Sequence, residues 1–398
     1  MSHEIQELKR VQRADVYQGP KLAGHLSRLS DGGIEFSYTS DYIESGDRGI
    51  ASALPLSSVP YIGPGGGLPA FFSGLLPEGH RLTVLKDAAK TSLSDELTLL
   101  MVVGADTPGN VRVSPAGTEL TAPPAVAAIA DSTDLDFSML ARSLDRHSIP
   151  GVQEKISATM LTTPLGLDGG AYLLKLNPRD HPHLVANEAL HLRAASALKL
   201  PVAKYQLVFD TRHVEGLLVE RFDRQISANS TVVTRFAQED GLQVLDLPPA
   251  LKYSVSAEQI SESLASHCQA PILAKRNLYL QFLFAWLTGN GDLHGKNVSM
   301  LADARGRFSI APIYDIPCTL IYGDDTMALT VAGKTKNLKK KHWQEFAHTL
   351  GLADRAVQSA NQLALKAASL VDLGELPFEG SPLRGTQREL RFRRMEIG

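Results

Sequence analysis

The stretch GNGDLHGKN, residues 289–297, holds an aspartate, a histidine, a lysine and an asparagine within six residues. Such side chains suit phosphoryl transfer, where one carboxylate receives a hydroxyl proton and a carboxylate and an amide oxygen hold Mg²⁺. Asp292 and Asn297 have the D-x-x-x-x-N spacing of a protein-kinase catalytic loop. We expect the second metal carboxylate one hairpin downstream, where Asp315 ends a strand in APIYDIP. The alternative is a polar loop that only ends the preceding helix, because Asp, Asn and Gly favour turns.

A phosphate-binding lysine is also needed, and Lys175 is the candidate because it interrupts the apolar strand YLLKLNP. Glu188 lies on the next predicted helix, and kinases hold this lysine with such a strand-to-helix Lys–Glu pair. The alternative is an edge-strand lysine that discourages aggregation. The strand GLLVERFDR, 216–224, could join two lobes and offer its backbone around Glu220 to Phe222 to an adenine. The alternative there is an ordinary strand whose charged side chains form surface ion pairs.

These residues need a large scaffold, and the chain supplies one. Its 398 residues, 43% of them hydrophobic, are enough for two domains or lobes. A net charge of −3 argues against a general nucleic-acid coat, and two cysteines fit a reducing compartment. The N-terminus is too charged for a secretory signal, and no apolar run approaches the ~20 residues of a membrane span. We therefore expect a soluble, cytoplasmic protein.

Periodicity and turn residues divide the chain into parts. Residues 11–113 predict short strands with one or two helices, one of them in SLSDELTLLMVVG. Residues 114–136 are rich in Ala, Pro and Thr and are the best linker candidate. Residues 147–224 predict the order strand, strand, helix, strand, strand. The remainder predicts helices, including a buried one over 271–289, with a hairpin directly after the opening motif.

Six motifs occur in a telling order: GVQEK at 151–155, LLKLNP, NEALHLRAASALKLPVAKYQLV, VERFDR, NGDLHGKN and PIYDIP. In that order they resemble HipA-type serine/threonine kinases, the toxins of bacterial toxin–antitoxin modules. SGLLPEGHRL, 73–82, resembles the signature of their N-terminal domain. The resemblance covers roughly residues 11–350, and the ordered set of motifs makes it specific.

The resemblance implies an α+β, two-lobed protein-kinase-like fold of the HipA type. Its N-terminal part would be mixed α/β with an added N-terminal subdomain, and its C-terminal lobe mainly α-helical. The boundaries implied are 1–120 for the N-terminal HipA subdomain, 121–136 for a linker, 137–224 for the kinase N-lobe-like sheet and 225–398 for the helical lobe. ATP and Mg²⁺ are the implied co-substrates.

Residue roles carry over by motif. Asp292 matches the catalytic aspartate, and Asn297 and Asp315 match the metal ligands. The ATP-binding residues implied are Gln153, Lys155, Lys175, Glu220, Phe222 and His294.

The resemblance also implies a self-inactivating switch. The family autophosphorylates a serine three residues before the glycine of G-x-Q-E-K, and Ser148 occupies that place. A phosphoserine carries about −1.5 to −2 charges. Beside ATP phosphates it would be repelled, so its segment should leave the site. The alternative for Ser148 is a plain turn serine.

Three functions remain open at this point. The resemblance favours a toxin that phosphorylates a translation-related protein such as an aminoacyl-tRNA synthetase. Its partners would be a helix-turn-helix antitoxin and, mainly through that antitoxin, operator DNA, with no membrane. The second is a small-molecule phosphotransferase like those for aminoglycosides or choline, whose loop H-G-D-L-H-x-G-N is similar. The third is a catalytically idle regulator that binds antitoxin and DNA.

Other polar stretches carry weaker signals. AGKTK at 332–336 lacks the earlier glycine of a phosphate-binding loop, and His181 and His183 lie in a polar turn without further ligands nearby. The lysines of 334–341 predict a solvated face, with contact to an acidic or nucleic-acid-bound substrate as the alternative. The arginines of 384–394 could be disordered or could contact DNA, and the sequence does not decide.

Overall fold

The computed structural model describes residues 2–118, 120, 128–129, 137, 161–167, 170–178, 180–226 and 233–398. Ser148, Gln153, Lys155 and most of the predicted linker 121–136 lie outside the described residues. Within the described residues two hydrophobic cores form, one from Ala14 to Val113 and a larger one from Leu184 to Ile397. The architecture is α+β and two-lobed with an added N-terminal domain.

The N-terminal domain is built on an antiparallel sheet. Its strands are β1 (Arg13–Gln18), β2 (Lys21–Arg28), β3 (Ile34–Tyr38), β4 (Tyr61–Ile62) and β5 (Val111–Pro115). They lie in the order β4-β3-β2-β1-β5. The sequence IEFSY shows why β3 forms, because Ile34, Phe36 and Tyr38 alternate with polar residues and are buried on one face of the sheet.

Five helices belong to the same domain: α1 (Ser2–Glu7), α2 (Ser40–Glu44), α3 (Ala70–Gly74), α4 (Gly79–Ala89) and α5 (Glu96–Val103). The helix predicted in SLSDELTLLMVVG is confirmed as α5. The expectation of one or two helices over 11–113 was too low, since those residues, all described, contain four. Two of them, α2 and α3, have five residues each, which is too short for a 3.6-residue period to show.

A second sheet forms the small lobe of the kinase-like part. Its strands are β6 (Ala128–Ile129), β7 (Leu161–Leu167), β8 (Gly170–Leu176), β9 (Tyr205–Phe209) and β10 (Glu215–Glu220), and helix α6 (Leu184–Ala195) lies between β8 and β9 in the chain. The spatial order is β6-β7-β8-β10-β9. The predicted second strand, helix and last two strands are confirmed as β8, α6, β9 and β10. The first strand was predicted over 147–161, which lies outside the described residues except for Leu161, where β7 begins.

Lys175 lies on the interior strand β8. It is opposite Thr162 of β7 on one side and Leu217 of β10 on the other. An edge strand has only one neighbour, so the edge-strand alternative for Lys175 is wrong.

The large lobe follows. Its strands are β11 (Arg224–Ile226), β12 (Val233–Arg235), β13 (Gln238–Asp240), β14 (Ser299–Ala302) and β15 (Phe308–Ile310). Its helices are α7 (Gly241–Val244), α8 (Ala257–His267), α9 (Pro271–Thr288), α10 (Lys340–Thr349), α11 (Asp354–Ser369) and α12 (Gly380–Ile397). The predicted hairpin is confirmed, because β14 and β15 pair antiparallel.

Helix α9 is the centre of this lobe. Every residue from Leu278 to Thr288 is buried, as expected of a helix that is apolar on all sides. Among the described residues, no helix combines the length and the apolar character that crossing a bilayer requires.

The two basic segments now have structures. The stretch 384–394 lies within helix α12, so the disordered alternative for it is wrong. The lysines between 334 and 341 are all exposed, as a solvated face requires. Contact of either segment with nucleic acid stays a prediction.

Candidate active site

Gly289 ends the buried helix α9 and begins the loop that carries the predicted catalytic residues. Its backbone φ of 77° lies in the left-handed region that glycine tolerates best. A Cβ there would also meet Cys318 Sγ at 2.9 Å. The chain can therefore turn sharply out of the core, and the polar loop lies at the inner end of a cleft.

Hydrogen bonds to both its backbone and its side chain orient Asp292. Its backbone N–H donates to Asn290 Oδ1 at 2.8 Å, and Asn297 Nδ2 donates to its carbonyl oxygen at 3.0 Å. The Tyr253 hydroxyl donates to Asp292 Oδ1 at 2.9 Å. Asp292 is 1% exposed, so its carboxylate is held in a largely water-excluded position. The predicted catalytic carboxylate and the predicted metal-binding amide are thus brought together.

Lys175 lies between two carboxylates. Its Nζ donates to both oxygens of Glu188 at 2.8 Å and to Asp315 Oδ1 at 3.1 Å. Burial alone would lower the pKa of Lys175, but Asp315 and Glu188 raise it above its ordinary value. The ammonium therefore stays charged, and the structure contains the strand-to-helix pair that the sequence predicted.

The segment that presents Asp315 is fixed by its neighbours. Asp315 has a positive φ of 54°, a backbone conformation that only a few per cent of non-glycine residues adopt. Just beyond it, the Asn187 side chain donates to the Cys318 carbonyl oxygen and accepts from the Cys318 N–H, both at 2.9 Å. The Thr319 hydroxyl accepts from the N–H of Gly291 at 2.7 Å. Hydrogen bonds therefore connect the segment that follows Asp315, helix α6 and the loop that carries Asp292.

A cavity of about 340 Å³ opens between the lobes. The predicted site residues that line it are Lys175, Glu220, Phe222, His294, Asn297 and Asp315. Asp292 is linked to this lining through Asn297. Ser148, Gln153 and Lys155 are predicted site residues outside the described part of the chain.

His294 shapes the loop beside Asp292. Its N–H donates to the Asp292 carbonyl oxygen at 2.8 Å, and its Nδ1 accepts from the N–H of Lys296 at 3.3 Å. Its ring meets the edge of the Tyr253 ring, with centroids 5.2 Å apart. In the described structure His294 orders the loop and also lines the cavity.

Phe222 follows β10 and lies at the wall of the cavity. Just before it, the N–H of Glu220 donates to the Lys204 carbonyl oxygen and that of Arg221 to the Ala171 carbonyl oxygen, both at 2.8 Å. The Phe222 ring lies 5.5 Å from the ring of Tyr314. The segment 220–222 is therefore held to the small-lobe sheet, and the Phe222 ring packs against Tyr314 at the cavity wall.

The charged residues of VERFDR do not form surface ion pairs, apart from Glu220, which pairs with Lys204 at 3.2 Å. Arg221 and Asp223 are buried. Arg221 Nη1 donates to Asp106 Oδ2 at 2.7 Å, and Asp223 Oδ2 accepts from the N–H of Gly109 at 2.8 Å. Asp106 and Gly109 belong to the N-terminal domain, so the surface-ion-pair alternative is wrong for these two residues because they join two domains.

The contacts of Lys296 were not predicted from the sequence. Its Nζ donates to Asp240 Oδ2 at 2.9 Å and to the carbonyl oxygen of Gly74, in the N-terminal domain, at 2.8 Å. Burial would lower the pKa of Lys296, but Asp240 and Glu78 raise it overall. The loop lysine is thus a buried anchor between domains. No local pattern could have shown this, because Gly74 lies 222 residues away.

Tyr253 was also missed. It lies 39 residues before Asp292, in a segment without any recognisable motif. Only the folded chain brings its hydroxyl to the carboxylate.

The donor set fits a bound Mg²⁺. Asp315 supplies a carboxylate and Asn297 an amide, both on the wall of one cavity, and oxygen ligands of this kind are those that Mg²⁺ prefers. Because Asn297 Nδ2 donates to the Asp292 carbonyl oxygen, the amide oxygen is the atom that can serve as a ligand. Lys175 adds a fixed positive charge to the same wall. No group of three or more His, Cys, Asp or Glu side chains suited to a metal occurs among the described residues.

Comparison with known proteins places the chain. The family described as HipA-like C-terminal domain matches residues 147–371, and the HipA N-terminal domain matches residues 14–114. The chain is 29% identical over 375 residues to a putative kinase, Y4mE, of Sinorhizobium fredii, covering 86% of each. It is 29% identical over 346 residues to the serine/threonine-protein kinase toxin HipA of Shewanella oneidensis, covering 78% of each.

A solved structure shares the fold. The Shewanella oneidensis complex of HipA, HipB and operator DNA matches with a TM-score of 0.76 and 23% identity, covering 96% of each chain. The C-terminal family match alone spans more than half of the chain. The chain therefore belongs to the HipA family of serine/threonine kinase toxins.

Proposed function

We propose that this HipA-family kinase transfers the γ-phosphoryl group of Mg²⁺-ATP to a serine or threonine of a translation-related protein, such as an aminoacyl-tRNA synthetase. The observation that carries the proposal is the meeting of Lys175, Glu188 and Asp315 at one wall of the interlobe cavity, with Asn297 on the same lining and Asp292 hydrogen-bonded to it. Membership of a kinase family implies ATP as the phosphate donor.

Each residue has a chemical task in this proposal. Lys175 offers its charge to the phosphates and is held in place by Glu188. Asp292 accepts the proton of the attacking hydroxyl group while that oxygen bonds to phosphorus and the bond to the ADP oxygen breaks. Asp315 and Asn297 would hold Mg²⁺, which when bound neutralises charge on the phosphates.

We place the adenine against the segment 220–222, which begins at the last residue of β10. The N–H groups of Glu220 and Arg221 are already bonded to Lys204 and Ala171. We therefore assign to the base the carbonyl oxygen of Glu220 and the backbone and ring of Phe222.

We also propose autophosphorylation of Ser148, a helix-turn-helix antitoxin as partner, and operator DNA bound mainly through that antitoxin. The support is the motif position of Ser148 and the crystallised complex of the Shewanella oneidensis relative with HipB and operator DNA. Gln153 and Lys155 are proposed to reach the phosphates from the same segment. The boundaries 1–120, 121–136, 137–224 and 225–398 are proposed for the domains.

The test is intact-mass measurement of phosphatase-treated protein after incubation with Mg²⁺-ATP, with the modified residue mapped. The parent should gain one phosphate at Ser148, and Asp292→Ala should gain none. Asp354→Ala, which removes an exposed carboxylate from the first turn of α11, serves as the matched control and should behave like the parent. No gain in any of the three proteins would contradict the autophosphorylation proposal.

A further inference from the structure

A second cavity, of about 410 Å³, lies beside the first and has no part in nucleotide binding as proposed above. Leu82 and Leu93 of the N-terminal domain form one wall, and Pro248, Pro249 and Ala250 of the large lobe form the other. Its lining is mainly apolar. The N-terminal domain supplies the larger share of the lining, and the large lobe supplies the rest.

One residue that lines this cavity contacts the carboxylate of Asp292. Tyr253 lines the cavity, and its hydroxyl donates to Asp292 Oδ1 at 2.9 Å. Leu76, Pro77 and Glu78 line both cavities. The two spaces are therefore neighbours, and each has a lining residue hydrogen-bonded to Asp292, Asn297 in the first cavity and Tyr253 in the second.

Phosphoryl transfer requires this arrangement of spaces. The attacking and leaving oxygens lie roughly in line through phosphorus, so the acceptor hydroxyl must approach from the side opposite the departing ADP. With the nucleotide in the cavity of Lys175 and Phe222, that approach comes from the direction of Tyr253.

We propose that the second cavity is the acceptor site, and that it takes an extended polypeptide segment with apolar residues next to the serine or threonine. This rests on the proposed kinase function and names the substrate class of the same active site. The N-terminal domain then contributes directly to the choice of acceptor, through the wall formed by Leu82 and Leu93.

The charges in this lining favour an apolar acceptor over a charged one. The Lys252 ammonium donates to Glu78 Oε2 at 2.9 Å, and Glu96 Oε2 accepts from the N–H of Leu68 at 3.0 Å. Both acids and the lysine are therefore already engaged. Complementarity comes from the Leu and Pro side chains, whose apolar surface is removed from water when an apolar segment binds.

The test uses a degenerate peptide library with a central serine or threonine and radiolabelled ATP. Leu93→Asp places a charge on the wall, and Ala250→Trp fills the opposite side. Both positions are exposed, Leu93 to 52%, so neither change should disturb folding. Leu370→Asp is the matched control, because Leu370 is also 52% exposed but lies outside the cavity lining.

The parent should label peptides with apolar residues beside the acceptor most strongly. Leu93→Asp and Ala250→Trp should lower transfer to those peptides by about tenfold or more, a loss typical of a misfitted apolar pocket. Leu93→Asp should in addition shift the preference toward Lys or Arg near the acceptor. ATP affinity, measured by calorimetry, should stay that of the parent, and Leu370→Asp should match the parent in every respect.

The failures are distinguishable. Cavity variants that label the library like the parent, or that lose ATP binding together with transfer, would overturn the acceptor site and leave the kinase function standing. A parent that phosphorylates itself but no peptide would overturn the extended-peptide occupant. A parent that binds ATP and transfers phosphate to nothing, itself included, would contradict the proposed function.

Discussion

At the scale of single residues, the orientation of Asp292 depends on a tyrosine hydroxyl. A carboxylate that can rotate presents its oxygens to the acceptor only part of the time, and Tyr253 fixes one of them at 2.9 Å. Positioning of this kind contributes to the barrier without any direct part in bond making. Tyr253 is therefore a positioning residue.

Tyr253→Phe should lower kcat by about tenfold, because general-base catalysis depends on the geometry of the base. The KM for ATP should stay unchanged, since Tyr253 lies outside the nucleotide cavity lining. Steady-state kinetics with a phosphorylatable peptide would measure both constants. Tyr61→Phe is the control, because that hydroxyl donates to the Pro55 carbonyl oxygen at 2.6 Å in the N-terminal domain and lines neither cavity. A rise in the KM for ATP at constant kcat would contradict the assignment.

Also at this scale, two consecutive side chains of α6 fix two parts of the site. Glu188 holds Lys175, and Asn187 holds the backbone of Cys318 three residues after Asp315. Both are fully buried. Their adjacency ties Lys175 and the segment that carries Asp315 to the same turn of helix.

At the scale of elements, the C-terminal helix α12 closes the end of α9 that leads into the catalytic loop. Arg393 Nη1 donates to the carbonyl oxygen of Trp286 at 3.2 Å, and its Nη2 donates to that of Asp325 at 2.9 Å. Its guanidinium lies 3.7 Å from the centroid of the Trp286 ring. The last carbonyl groups of a helix lack partners within the helix. A cation at this end is also attracted to the partial negative charge of the helix dipole.

Arg393→Ala should therefore lower the free energy of unfolding by about 2–4 kcal/mol, from lost charged hydrogen bonds and the cation–π contact. Arg391→Ala, an exposed arginine on the same helix, should change it by less than about 0.5 kcal/mol. Urea unfolding followed by circular dichroism would give both values. Equal losses in the two variants would show that α12 does not stabilise α9 through Arg393.

At the scale of the whole molecule, buried polar groups join the N-terminal domain to the large lobe. Glu239, in strand β13, accepts from the N–H and the hydroxyl of Ser52, at 3.0 and 2.6 Å. Burial raises the pKa of Glu239 to about 7, with neighbouring Asp240 adding to the rise and the Ser52 hydrogen bonds opposing it. The interface thus contains an acid that ionises near neutral pH.

The sign of the resulting pH dependence follows from linkage. The pKa of Glu239 is higher in the folded state than in the unfolded state. Its contribution to stability is therefore full below about pH 4.5 and is lost as the pH rises through about 7. Glu239→Gln removes this titration. The free energy of unfolding of the variant relative to the parent should rise between pH 5 and pH 8, by up to about 3 kcal/mol. Urea midpoints of both proteins at the two pH values would measure it, and a constant difference would refute it.

The sequence predicted the local parts of this site well. The D-x-x-x-x-N loop, the β14–β15 hairpin and the strand carrying Lys175 follow from short-range patterns, and the structure places them together. Their chemical roles stay predictions. Tyr253, the Lys296–Gly74 bond and the buried Arg221 and Asp223 could not be predicted, because each depends on a partner far away in the chain.

The thiol of Cys318 is a chemical probe for local opening of the segment that carries Asp315. It is fully buried, burial raises the pKa of its thiol to about 11, and its backbone is held by Asn187. A thiol in this state reacts with an alkylating reagent only when the surrounding segment opens. The rate of alkylation at Cys318, resolved from that at the other buried thiol, Cys268, by mass spectrometry, would therefore report the free energy that keeps the Asp315 segment closed, with no residue introduced into the chain.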